Sequence, residues 1–205
     1  MSNIQITNLT TKDTESIIEI FFNTFENYPL MQYFFGNAYK QSMKHLLKSM
    51  CDEKSIVDNL LLGAFIEGKL QGVAFITPPQ NEKNNHDVDS TPTSSEEEFA
   101  MAIGEEALMR IEAYSNLKKA NKPSSPHFYI NALGVHPQSQ GKGIGSAILS
   151  QVHQISEQHS DSQGVALDTQ TEKNVGYYQR FGYDVSTTAQ LESVKNWFMF
   201  RPNSL

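Results

Sequence analysis

Three glycines at alternate positions, Gly141, Gly143 and Gly145, sit in the stretch HPQSQGKGIGSAILSQ, residues 136–151. An apolar run, HFYINALGV, precedes them. Ile144, Ile148, Val152 and Ile155 follow at helical spacing. A strand, a glycine turn and a helix N-terminus together make an anion site. Unpaired backbone N–H groups converge there, and the helix dipole favours negative charge. Glycine also lets a phosphate approach the backbone closely. Two common phosphate motifs do not fit. The nucleotide P-loop needs a Lys-Ser/Thr pair after its last glycine, whereas Lys142 lies between glycines. The dinucleotide fingerprint needs G-x-G-x-x-G early in a βαβ unit, and the spacing here is G-x-G-x-G, two-thirds of the way along the chain.

The pattern that fits is Q-x-x-G-x-G, formed by Gln140, Gly143 and Gly145. It resembles the acetyl-CoA pyrophosphate loop of GNAT-type N-acetyltransferases. The likeness extends to LGVHPQSQGKGIGSAIL as a whole, including the proline before the loop. It also extends to NVGYYQRFGY, where Asn174, Tyr178, Gly182 and Tyr183 are similar to that family's later signature. From about Leu60 onward, AFITPP, HFYINALGV and NWFMFRP look most similar to the puromycin N-acetyltransferase-like branch. The first sixty residues resemble it in layout only, so the acceptor is not carried over.

The resemblance implies an acetyl-CoA-dependent enzyme that moves acetyl to a primary amine of a small molecule. The amine would attack directly in a ternary complex. The backbone of Leu133, Gly134 and Val135 would pair with the pantetheine arm. Gln140, Gly141, Lys142, Gly143, Ile144, Gly145 and Ser146 would hold the pyrophosphate, with Lys142 either adding charge or simply solvated. Gly134 inside a strand marks a bulge or a close backbone approach. Asn174 either contacts the cofactor or caps its helix. Tyr178, four residues before Gly182, would be the general acid for the departing thiolate; otherwise it is a core aromatic. A protein or peptide acetyltransferase, and an acyl-CoA-binding regulator without turnover, are the rival functions.

The attacking amine must be neutral, yet an alkylamine with a pKa of about 10.4 is mostly protonated at neutral pH. A base or a water chain must take that proton, and no motif names it. Glu26, Tyr28 and His45 lie in the region expected to border the acceptor, and His127 and His136 flank the central strand. Asn131 is a polar residue in an apolar strand, pointing into the cleft or bonded in the core. In FFNTFENYPLMQYFF, Tyr28, Met31 and Tyr33 follow the helix break and are candidates to line an acceptor pocket, with Glu26 beside them. The scattered histidines lack metal-ligand spacing, so no metal is expected.

Positioning these residues needs an α/β domain with a mixed sheet. The expected order is β-α-α-β-β-α-β-α-β-α-β-β over one domain, residues 1–205. IQITNLT alternates as a strand. TKDTESIIEIFFNTF is an amphipathic helix capped by Thr11 or Asp13 and broken at Pro29, and a second helix covers residues 38–51. LLLGAFIEGKLQGVAFITPP is a hairpin turning at Glu67-Gly68-Lys69. Residues 80–95 are almost free of apolar side chains and read as a polar loop or insertion. EEEFAMAIGEEALMRIEAYSNLKKA reads as a third helix, acidic at its start and basic at its end. GVALDTQ is a strand, EKNVGYYQRFG a short helix stopped by Gly182, and YDVSTTAQL and KNWFMFRP are two last strands.

Composition narrows the setting. The 205 residues are 39% hydrophobic, enough for a full core. One cysteine, Cys51, leaves no internal disulfide and fits a reducing compartment. A net charge of −7 argues against nucleic acid as a partner. The start has no basic stretch followed by an apolar one, and no run is long enough for a membrane span. A cytoplasmic monomer or homodimer, away from membranes, is expected.

Overall fold

The computed structural model describes residues 3–79 and 94–204. A seven-stranded sheet runs β1-β2-β3-β4-β5-β7-β6. Its strands are β1 (Ile4–Asn8), β2 (Leu60–Ile66), β3 (Lys69–Thr77), β4 (Phe128–Val135), β5 (Gly164–Thr169), β6 (Asp184–Leu191) and β7 (Val194–Pro202). All neighbours are antiparallel except β4 and β5, which run parallel and pair only from Phe128 to Ile130 against Val165 to Leu167. Beyond Ile130 the two central strands part. A free edge of β4 then faces a free edge of β5 across a gap. This is the mixed-sheet α/β fold expected, but four helices rather than two lie between β1 and β2, and two rather than one between β3 and β4.

Alternation along β2 and β3 divides the core into two layers. Leu61 and Val73 face α1 (Thr14–Phe25), α2 (Pro29–Phe35) and α3 (Tyr39–Met50). Leu62, Ala64, Ala74 and Ile76 face α7 (Ile144–Gln158), whose Ile148, Leu149 and Val152 are fully buried. The hairpin turn needs positive φ at both central positions. Glu67 and Gly68, at 51° and 75°, supply it.

Several local expectations are corrected. Pro29 begins α2 rather than merely ending a helix, because at the first helical position its missing N–H would be unpaired anyway. A further helix, α4 (Glu53–Asp58), follows α3 and is capped by the Asp52 side chain. Asp13 stands at the N-cap of α1, but its side chain makes no cap bond there, and Thr11 lies in the turn before it. Thr10 and Asp13 form a reciprocal capping box around a short 3-10 turn that leads into α1. The third helix is two, α5 (Ser94–Ile103) and α6 (Glu105–Asn121), divided at Gly104 with φ +80°. Of the polar stretch 80–95, residues 80–93 lie outside the described residues.

His153 on α7 is buried, its Nε2 3.0 Å from the Tyr183 hydroxyl. Burial, helped by Arg201 and opposed by Glu157, pushes its pKa down from 6.5 to about 4. The folded chain thus keeps His153 neutral where the unfolded chain binds a proton. The stability this contributes is complete above about pH 6.5 and is lost as pH falls toward 4. The urea midpoint should therefore fall more steeply over that window in the native chain than in His153→Gln. Equal slopes would remove His153 from the acid response.

Candidate active site

The gap between β4 and β5 is where the site assembles. Val135 turns its backbone toward the gap: its carbonyl accepts from Thr24 Oγ1 at 3.2 Å and Gln140 Nε2 at 3.3 Å rather than from β3. Strand alternation turns Leu133 the same way. Gly134 faces β3, and it is a close approach rather than a bulge. A Cβ there would lie 2.9 Å from the Phe21 ring and 3.3 Å from Thr24 Oγ1. The bulge sits at Asn131 instead, where the register with β3 slips between Phe75 and Ile76.

Past β4, Gly141 and Gly143 take φ of +77° and +83°, and Gly143 is the N-cap of α7. Among the described residues, no acceptor meets the N–H groups of Gly141 to Ser146. Six successive unpaired donors at a helix N-terminus suit a group rich in anionic oxygens. Gly145 is needed for another reason. A Cβ there would meet the Tyr177 hydroxyl at 2.7 Å. Lys142 is exposed, with its Nζ 3.5 Å from Ser139 Oγ.

Past β5, Thr171 caps α8 (Glu172–Gln179) by accepting from the Asn174 N–H at 3.3 Å, so Asn174 is not the cap. The Asn174 and Tyr178 side chains line a cavity of about 330 Å³. Tyr178 is only 9% exposed, and burial, then nearby Tyr28, raises its pKa. Its hydroxyl has no hydrogen-bond partner among the described residues, yet no buried side-chain polar atom is left unpaired. The ring is therefore packed while the hydroxyl is reachable. The chain turns after α8 through Gly182 at φ +84°, with the N–H groups of Phe181 and Tyr183 on the Tyr178 carbonyl.

The cavity has two kinds of wall. Phe21, Phe25, Met31, Phe34, Met43 and Leu47 from α1, α2 and α3 make one side apolar. The other side is polar and centres on Asp168, the only carboxylate on the wall among the described residues. Asp168 accepts from the Tyr129 hydroxyl at 2.6 Å, the Tyr114 hydroxyl at 2.8 Å and Gln170 Nε2 at 2.6 Å. Burial and the Asp168 charge raise both phenols, so they remain donors. Asn131 gives its amide N–H to Thr77 Oγ1 at 2.8 Å and accepts from Lys118 Nζ. Tyr28 closes one end. Its hydroxyl lies 2.9 Å from Thr169 Oγ1 and accepts from the Gln170 N–H at 3.1 Å, stapling the α1–α2 turn to β5.

The gap and cavity thus bring together Leu133, Tyr28, Met31, Asn131, Asn174 and Tyr178. Two proposed acceptor residues stand elsewhere. Glu26 is half-exposed, 3.8 Å from Lys40, and Tyr33 gives its hydroxyl to Glu192 at 3.1 Å on the surface. They fall outside because α2 starts at Pro29 and rotates its next turn. Histidines 45, 127 and 136 are not on the cavity wall. The Cys51 thiol is buried and pushed up to about 11, an inert side chain. Among the described residues, no group of three His, Cys, Asp or Glu could hold a metal.

Sequence reasoning missed Tyr114, Lys118, Tyr129, Asp168 and Gln170. Two signals were present. Asp168 interrupts the apolar strand GVALDTQ. Ile111, Tyr114 and Lys118 recur at helical spacing on one face of α6, so Lys118 faces the cavity rather than merely completing a basic helix end.

Residues 97–185 match the family model described as Acetyltransferase (GNAT) domain. Among solved structures, the chain is similar to a Corynebacterium glutamicum protein described as histone acetyltransferase HPA2 and related acetyltransferase. The TM-score is 0.75 at 18% identity, covering 100% of this chain and 98% of that one. Arylalkylamine N-acetyltransferase 2 from Aedes aegypti gives a TM-score of 0.68 at 15% identity, covering 98% and 100%. PaiA N-acetyltransferase from Thermoplasma acidophilum, solved with coenzyme A, gives 0.59 at 16% identity, covering 98% and 99%. With its parted central strands and glycine turn of unpaired donors, the chain has the fold of these acetyltransferases, and residues 97–185 match a GNAT acetyltransferase domain.

Proposed function

We propose that the chain transfers acetyl from acetyl-CoA to a primary amine of a small molecule with an apolar or aromatic body. The observation that carries this is the cavity. It has the size of a small-ligand pocket, it is apolar on one wall, and Tyr178 and the free edge of β4 border it. Acetyl-CoA supplies an activated thioester. The unpaired amides of residues 141–146 bind its pyrophosphate, and Lys142 adds charge at the rim. The gap-facing backbone of Leu133 and Val135 orients the arm, with Gly134 letting α1 close over it. Asn174 contacts the cofactor from the opposite side.

Tyr178 gives a hydrogen bond to the departing sulfur. A thiol has a pKa of about 8.5 and a phenol about 10, so the phenol stabilises thiolate without surrendering its proton fully. We assign the acceptor's ammonium to the neighbourhood of Asp168, whose charge attracts it; it loses one proton to water before attack, and the second proton, lost from nitrogen as the amide forms, ends on the CoA thiolate. A cavity of about 330 Å³ with an apolar wall fits a small amine. The chain is taken to act as a monomer or homodimer. Among the described residues no helix is long and apolar enough to cross a membrane. With the buried thiol of Cys51, this supports a cytoplasmic setting.

The test is thiol release from acetyl-CoA with a panel of alkylamines, arylalkylamines, aminoacyl aromatic amines of the puromycin type, and peptides. Turnover with free amines is the expected result. Activity on peptides alone, or acetyl-CoA binding without any turnover, would overturn the proposal.

A further inference from the structure

Lys118 is unusual among the cations of this chain. It enters the acceptor cavity from α6, beside apolar side chains, and it forms no ion pair among the described residues. Its Nζ donates to Asn131 Oδ1 and lies 4.1 Å from the centre of the Tyr129 ring. An ammonium has three N–H donors. One is used, and the ring face accepts charge without being a hydrogen-bond acceptor of ordinary strength.

Asp168 is the natural counter-ion, and it is already engaged. Tyr114, Tyr129 and Gln170 fill its oxygens, and Tyr129 stands between it and Lys118. The cavity therefore offers a ligand a cation with spare donors and a carboxylate whose acceptor sites are mostly taken. Burial lowers the Lys118 pKa although Asp168 pulls it up, so holding the charge there costs free energy. An anionic oxygen brought by a ligand would offset that cost and use the spare donors. Ser115, one turn before Lys118 on the same wall, adds a hydroxyl that suits the same group.

We propose that Lys118 anchors an acidic group of the acceptor, which is therefore an amine carrying both an apolar side chain and a carboxylate. This rests on the cavity being the acceptor site, and it narrows the substrate class to amino-acid-like amines. Lys118 would bind the carboxylate while Phe21, Phe34 and Met43 take the apolar body.

Matched probes without an amine separate this from the acetyl-transfer proposal, because they read binding alone. The native chain is titrated by calorimetry with 3-phenylpropanoate and with 3-phenylpropan-1-ol, with and without CoA. The acid should bind about tenfold tighter or more than the alcohol. Lys118→Met should abolish that preference while leaving the acetyl-CoA Kd unchanged, and Lys118→Gln serves if the methionine variant does not fold. A second arm compares phenylalanine with phenethylamine as acceptors. The acid should have the lower KM in the native chain, and that advantage should vanish in the variant.

An acid that binds no tighter than the alcohol, or a preference that survives loss of Lys118, overturns the anchor. So does a Lys118→Met chain that loses only thermal stability, which would make the lysine a structural partner of Asn131 and Tyr129. Acid-selective binding without turnover on any amine would keep the anchor and sink the acetyl-transfer proposal instead.

Discussion

Tyr178→Phe is expected to lower kcat by about a hundredfold or more, the usual worth of a positioned acid, with little change in acetyl-CoA affinity. The substitution removes one oxygen and keeps the ring, which is the part the core packs. That oxygen has no protein partner among the described residues, so its loss strands no donor or acceptor. Tm should move by only a few degrees, since about 1 kcal/mol shifts it by roughly 2–4 °C in a chain of this size. Tyr177→Phe is the control. If that variant shows the large loss and Tyr178→Phe does not, the role passes to the phenol packed against Gly145. A kcat within threefold of native for both would end the assignment. No tyrosine limb should shape the pH–rate profile near neutrality, because burial raises the Tyr178 pKa.

The second large effect is expected at the glycine turn. Gly141→Asp introduces a carboxylate where a Cβ would meet nothing within 4 Å. The residue must adopt φ near +77°, which aspartate tolerates better than most side chains. The left-handed backbone should cost about 1 kcal/mol of stability, leaving the chain folded, but the cradle would now repel phosphate. Two like charges about 6 Å apart at an effective dielectric of about 20 repel by about 3 kcal/mol. That is roughly a hundredfold in affinity. Calorimetry with acetyl-CoA should show the loss, and raising the salt concentration should partly restore binding. Unchanged affinity would mean that the pyrophosphate is held elsewhere. Together the two variants separate the halves of the site: one should lose chemistry with binding intact, the other binding with the fold intact.

The sequence alone determined what depends on near neighbours in the chain. The strand–glycine turn–helix from Phe128 to Gln158 is local. Positive φ at Gly141 and Gly143, apolar spacing from Ile144 onward and a proline after β4 each constrain only a few residues. The same holds for the Glu67-Gly68 hairpin and for Tyr178, whose distance from Gly182 is set within a single short helix. Those features were legible as local structure.

Helix boundaries were less so, because Pro29 and Gly104 each fit either the end of one helix or the start of another. Packing chose between them. What only the tertiary structure decided is the polar wall. Lys118, Asn131 and Asp168 belong to three elements, and each is explained by its own element: a helix end, a bulge, a polar residue in a strand. They meet because β4 and β5 stop pairing after Ile130 and α6 crosses the opening this leaves. A long-range contact of this kind has no spacing that the chain can display. Glu26 shows the converse. It was near in sequence to the pocket residues Tyr28 and Met31, yet it caps the end of α1 and pairs with Lys40 off the cavity wall.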